Sequence, residues 1–172
     1  IDLAGVEVEL VYMKSREYVV KKIFDQVKNS YDYITIDCPP SLGLLTINAF
    51  TASDAVIIPI QCEFFALEGL SQLMNTVRLV KKKLNPDIEI DGVVLTMRDS
   101  RSNLGKQVAG EISKFFADSI FETTIPRNVR LAESPSYGEP ICLYDTSCVG
   151  AKAYKALTEE YFDRRKEKYI KI

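Results

Sequence analysis

Tyr31-Asp32-Tyr33-Ile34-Thr35-Ile36-Asp37-Cys38-Pro39-Pro40-Ser41-Leu42-Gly43 is the stretch that decides the fold. Tyr33 to Asp37 is β-branched and aromatic and reads as a buried strand. Pro39-Pro40 must stop it, because proline donates no ladder hydrogen bond. Ser41 to Ala52 then reads as a helix, apolar almost all round through Leu42, Leu44, Leu45, Ile47 and Phe50. Upstream, Tyr18, Val19, Ile23 and Val27 recur at helical spacing within Ser15 to Asn29.

The same alternation continues downstream. Ala55 to Ile60 is a second apolar strand, and Leu67 to Leu84 an amphipathic helix with Lys81-Lys82-Lys83 in its last turn, where cations suit the helix dipole. Asp91 to Met97 is a third strand, Leu104 to Phe116 a helix, Phe121 to Ile125 a short strand, and Gly150 to about Lys168 the last helix. Strands apolar on both faces need helices on both sides. The expected fold is therefore α/β, with a doubly wound, mostly parallel sheet in a single domain spanning 1–172. The length of 172 residues suits one domain.

Composition narrows the function. The chain carries 22 basic and 24 acidic residues, a balance unlike that of a bulk polyanion binder, though compatible with a local basic patch. It has no histidine, which removes Ser-His-Asp and Cys-His sites. Its four cysteines, at 38, 62, 142 and 148, include no Cys-x-x-Cys pair, so a zinc site is not expected and the thiols read as ordinary, reduced and cytosolic. No apolar run approaches the ~18 residues of a membrane span.

In open parallel sheets ligands bind at the carboxyl ends of strands. That ranks Asp37 to Ser41, Gln61 to Phe65, Arg98 to Asn103 and Arg127 to Arg130. Asp37 suits a carboxylate holding magnesium beside nucleotide phosphates, or an aspartate that merely caps the next helix. No glycine spacing gives a Gly-x-x-x-x-Gly-Lys-Ser/Thr phosphate loop or a Gly-x-Gly-x-x-Gly turn. Arg98, Arg101, Lys106, Arg127 and Arg130 gather in two strand-end loops and suit phosphate oxygens or a solvated surface. Arg164-Arg165-Lys166-Glu167-Lys168 reads as a favourable helix C-terminus, or as a basic contact for DNA or lipid headgroups.

Tyr31 to Gly43 closely resembles the Walker B and switch II segment of the ParA/Soj partition ATPases, of the ParA/MinD superfamily of P-loop NTPases. Ile58 to Leu70, Leu95 to Leu104, Ile125 to Leu131, Ser134 to Ile141 and Tyr144-Asp145 follow in that family's order. The likeness implies that the chain starts downstream of the Walker A loop and the switch I aspartate. It would then be the C-terminal two-thirds of such a protein, lacking the first strand, with 4–12 closing the N-terminal part.

The resemblance also implies roles. Asp37 would be the catalytic-site Walker B carboxylate near magnesium, reaching it through water. Cys38, Pro39, Pro40 and Ser41 would form switch II. Met97, Pro126 and Asn128 would surround the adenine of ATP, Asn128 offering the donor and acceptor of its amide. Arg101 and Arg130 would bind double-stranded DNA without reading sequence. Glu63 and Phe64 to Gly69 would lie near an ATP-dependent homodimer interface. ATP and magnesium are the implied cofactors, a ParB-type protein and DNA the implied partners, and a cytoplasmic, nucleoid-associated site the implied location, with no membrane contact. A 172-residue chain without the phosphate loop would hydrolyse ATP poorly by itself, and the missing strand would leave sheet edges unpaired. A MinD-like membrane ATPase would need a clearly amphipathic C-terminal helix. An iron–sulfur carrier ATPase would need a Cys-x-x-Cys pair. A non-enzymatic DNA- or partner-binding remnant would lack an upstream phosphate loop.

Overall fold

The computed structural model describes residues 3–63, 66–99, 101–116 and 119–169. Phe64 and Phe65, which the sequence reading places near a dimer interface, lie outside the described residues. The chain divides into two compact units, Ile1–Val56 with Gly69–Ile90, and Ile57–Glu68 with Asp91–Ile172.

The first unit holds α1 (Leu3–Val11), α2 (Val19–Val27), α3 (Leu44–Ala52) and most of α4 (Ala66–Lys83). Its core is Phe50 of α3, Val77 and Val80 of α4, and Ile88, with Ile47, Leu73 and Leu84 packed around them. The α3 stripe is not as apolar as its leucines suggest, since Thr46, Asn48 and Thr51 are buried too. Buried polar groups must be hydrogen-bonded, and these are. The Asn48 side chain accepts from Val20 N (3.2 Å) and donates to Arg16 O (2.8 Å) and Leu44 O (3.0 Å), tying α2 to α3. Asn85 donates to Phe50 O (3.0 Å) and Ser53 O (2.7 Å), which fixes the far end of α3. The helix expected over Ser15 to Asn29 forms as α2 flanked by 3-10 turns at Arg16–Tyr18 and Lys28–Ser30, but Ile23 and Val27 on its apolar stripe stay exposed.

Residues 33–37 do not form the expected strand. No ladder joins them to another strand among the described residues, and Ile34 is exposed. A strand is defined by its neighbour, and β-branched composition alone cannot supply one. The helix expected from Ser41 begins at Leu44, with Gly43 in the extended conformation of an N-cap.

Two strands form a sheet, β1 (Ala55–Gln61) and β2 (Glu89–Thr96). Glu89 N donates to Asp54 O at one end and Cys62 N to Thr96 O at the other, so the pair is parallel. The α/β class with a parallel sheet therefore stands. β2 is buried continuously from Gly92 to Leu95, as a strand covered on both faces should be. β1 instead alternates, with Ile58 and Ile60 buried and Ile57 exposed.

The second unit also holds α5 (Asn103–Phe115), α6 (Val129–Glu133), α7 (Ile141–Tyr144) and α8 (Val149–Tyr169). The strand expected at Phe121 to Ile125 is interrupted. Phe121 N donates to Val93 O and Ile125 N to Leu95 O, so the chain advances four residues while β2 advances two. The surplus bulges away from β2. The bulge N–H groups of Glu122 and Thr123 donate instead to the Glu160 carboxylate of α8, both at 2.8 Å. Val94, Phe121 and Ile125 form the local core, capped by Leu131 of α6 and by Ala153, Leu157 and Tyr161 of α8.

Candidate nucleotide and phosphate sites

In the first unit the candidates lie on the irregular segment that leads into α3. Asp37 is exposed, and none of the described residues is hydrogen-bonded or ion-paired to its carboxylate. Burial, and then the neighbouring Asp37 charge, push the Cys38 thiol above its usual pKa, so the thiol stays protonated at neutral pH. Pro39, Pro40 and Ser41 are exposed, and the Ser41 carbonyl accepts from Thr46 Oγ1 at 2.6 Å. Asp37 does not cap α3. That role falls to Glu7 of α1, whose Oε1 accepts from Leu44 N at 2.8 Å. A carboxylate at a helix N-terminus satisfies an orphan N–H and complements the dipole. Sequence reading missed Glu7, because a cap supplied from 37 residues away leaves no local signature.

The donor set suits magnesium, which takes one or two carboxylates and fills its other positions with water and phosphate oxygens. An unpaired, exposed Asp37 can serve in that way. Among the described residues no group of three His, Cys, Asp or Glu side chains forms a self-sufficient metal cage.

In the second unit, the end of β2 and the segment after the bulge run side by side. Arg98 N donates to Ile125 O (3.1 Å) and Arg127 N to Arg98 O (3.1 Å), which sets Pro126 opposite Arg98. Met97 precedes that register with φ of 54°, a left-handed conformation uncommon for a residue with a side chain. Asn128 is the N-cap of α6, its Oδ1 accepting from Leu131 N at 3.3 Å. This leaves the two Nδ2 hydrogens of Asn128 available as donors. This register sets Met97, next to Arg98, beside the Pro126–Asn128 segment that lies well downstream in sequence.

The arginines of the same loops are all exposed, and three are ion-paired. Arg101 makes a fork-to-fork pair with Asp99, Nε to Oδ1 and Nη2 to Oδ2 both at 3.1 Å. Arg130 Nη1 lies 2.9 Å from Glu133 and its Nε 3.5 Å from Asp145. Arg127 pairs with Glu63 at 2.7 Å. The hydrogen bonds from Arg101 hold the Asp99 carboxyl below the usual range. The basic run in α8 is also partly spent: Arg164 donates to Ile120 O at 2.7 Å and lies over the Phe121 ring, and Arg165 pairs with Asp91.

The family described as an AAA domain matches residues 1–90. The sporulation initiation inhibitor protein Soj of Bacillus subtilis is 62% identical over 160 residues, covering 93% of this chain and 63% of that protein. The chain belongs to the ParA/Soj family. The chromosome-partitioning ATPase Soj of Treponema pallidum is 49% identical over 164 residues, covering 95% of this chain and 65% of that one. Among solved structures, cobyrinic acid a,c-diamide synthase from Mycobacterium smegmatis with bound ADP and magnesium aligns with a TM-score of 0.78 at 32% identity, over 98% of this chain and 61% of that one. The chain thus spans less than two thirds of the length of these ParA/Soj relatives.

Proposed function

We propose that this chain is part of a single ParA-type ATPase domain that partitions chromosomes or plasmids. ATP joins two copies, the dimer binds duplex DNA whatever its sequence, and hydrolysis to ADP and phosphate, stimulated by a ParB-type partner, releases it. The observation that carries the reading is the 62% identity to a Soj protein over nearly the whole chain. The ADP and magnesium in the cobyrinic acid synthase structure support the cofactor assignment.

In this reading Asp37 holds magnesium, which offsets the charge of the phosphate oxygens. Cys38 to Ser41 respond to the terminal phosphate, and their movement passes to α3 through Ser41 and Thr46. Met97 and Pro126 supply apolar contact to adenine, and Asn128 presents its free N–H donors to the base edge. Arg101 and Arg130 meet DNA phosphates. The protein acts in the cytoplasm on the nucleoid; no helix among the described residues is long and apolar enough to cross a membrane.

The experiment is ATP turnover by the full-length protein with DNA and its ParB-type partner. Asp37→Ala should abolish stimulated turnover. Arg130→Ala should leave ATP-driven dimerisation intact and weaken DNA binding equally for all sequences. The purified 172-residue chain alone should turn over little ATP. Stimulated turnover that survives Asp37→Ala, or DNA loss that depends on sequence, overturns the assignment.

A further inference from the structure

The arginines assigned to DNA are not free cations. Arg101 and the Asp99 carboxylate share two parallel hydrogen bonds, and Asp99 Oδ1 also accepts from Arg101 N at 2.9 Å. That planar, bidentate match is the one a guanidinium would offer a phosphate. Glu133 Oε2 takes Arg130 Nη1 at 2.9 Å and the Tyr144 hydroxyl at 3.3 Å. Asp145 uses one oxygen for Ser147 and Cys148 and turns the other to Arg130. The Tyr144 ring is in turn stacked on Tyr137, with centroids 5.0 Å apart. Each arginine is at least half exposed, so both pairs are within reach of a polyanion.

We propose that Asp99 on Arg101, and Glu133 together with Asp145 on Arg130, are built-in counter-anions of the DNA-binding face, holding guanidinium nitrogens that a duplex phosphate must take over. The proposal rests on the reading that Arg101 and Arg130 contact DNA. Its consequence is a weak, readily reversed contact. Exposed ion pairs are individually weak, so the carboxylate is displaced at small cost, yet it lowers the affinity at every arginine it holds. Two such arginines per subunit leave the face nearly neutral until DNA arrives, which suits a chain of net charge −2. The salt dependence is affected as well. When a phosphate displaces a carboxylate, the freed carboxylate gathers cations of its own, and fewer ions are released overall than when a phosphate meets an unpaired arginine.

The test is binding of the full-length, ATP-bound protein to a short mixed-sequence duplex across a salt series. Glu133→Gln keeps an acceptor for Tyr144 and removes the charge. It should tighten binding about two- to fivefold. It should also steepen the plot of log affinity against log salt by about one. Asp99→Asn should do the same through Arg101. Glu139→Gln removes the same charge from an exposed neighbour that does not touch Arg130, and should do neither. In an Arg130→Ala background, Glu133→Gln should have no effect.

The outcomes separate the two readings. If Arg130→Ala and Arg101→Ala leave DNA binding unchanged, the DNA assignment fails and this proposal with it. If they weaken binding while Glu133→Gln and Asp99→Asn do not tighten it, this proposal alone fails. Equal tightening by Glu139→Gln, or tightening that persists without Arg130, reduces the effect to general charge and also overturns it.

Discussion

Arg165 in α8 lies 3.0 Å from Asp91 in β2, and the Asp91 side chain is only 6% exposed. A basic run that reads in sequence as a helix-end or DNA contact is here a fastening of the last helix to the sheet. The Arg165 guanidinium also lies 5.5 Å from the Tyr161 ring centre. Removing one member of a buried pair costs the other its ion-pair partner. Arg165→Ala should therefore destabilise the folded protein by about 2–4 kcal/mol. Its folded fraction should bind duplex DNA as tightly as the parent does. Chemical denaturation and a DNA titration on the same sample decide it; unchanged stability with lost DNA affinity would return Arg165 to the DNA-binding face.

Glu160 stabilises the bulge that interrupts the last expected strand. Burial by itself would raise the Glu160 pKa, but the N–H groups of Thr123 and Glu122, the Thr123 hydroxyl and Arg164 together outweigh burial and hold it below the usual glutamate range. A carboxyl depressed in the folded state stabilises fully above its unfolded pKa, and that contribution is lost as pH falls through the folded value. Glu160→Ala should cost roughly 1–3 kcal/mol at neutral pH, since two backbone donors lose their acceptor. The gap between parent and variant should close as pH drops below the ordinary glutamate pKa and through the lower folded value. Unfolding midpoints measured across that range test the sign; a gap that widens in acid contradicts it.

Gly92 sits in the buried part of β2 where the Phe121 ring crosses the backbone. A Cβ built there overlaps Phe121 side-chain atoms, and the Arg164 guanidinium lies over the same ring, 4.4 Å from its centre. Gly92→Ala should destabilise by about 1–3 kcal/mol, the usual cost of overpacking. Phe121→Leu in the same background should recover part of it, which thermal unfolding of the four proteins would show.

Local pattern made much of the fold legible. Ala55 to Ile60, Leu67 to Leu84, Asp91 to Met97 and Leu104 to Phe116 appear within a few residues of their expected bounds, because period and capping are local properties. The failures share a cause. The ladder expected at Tyr33 to Asp37 needs a partner strand, and the one at Phe121 to Ile125 competes with Glu160 for the bulge N–H groups. Neither a partner nor a distant carboxylate is written in a local window. Ile23 and Val27 have helical spacing, yet spacing says nothing of what covers the stripe. At the candidate sites, residue types pointed to Asp37, Asn128 and the arginines. The carboxylates paired with those arginines went unread, because Asp99 and Glu133 look like ordinary polar residues until the loop and helix geometry sets them against a guanidinium.

The Glu7 cap of α3 offers a sharper test than its energy alone. Gly43 φ is −80°, so an alanine there meets no backbone strain, and the conflict is with Glu7 only. A Cβ at position 43 would overlap the Glu7 carboxylate that now accepts from Leu44 N. Glu7→Ala should cost about 1 kcal/mol, the usual worth of a helix cap. Gly43→Ala should cost a similar amount by pushing the carboxylate off the helix end. The two changes remove one interaction, so together they should cost little more than either alone, whereas independent sites would add. Unfolding of the parent, both single variants and the double variant gives the coupling. Full additivity would mean that Glu7 does not hold the start of α3.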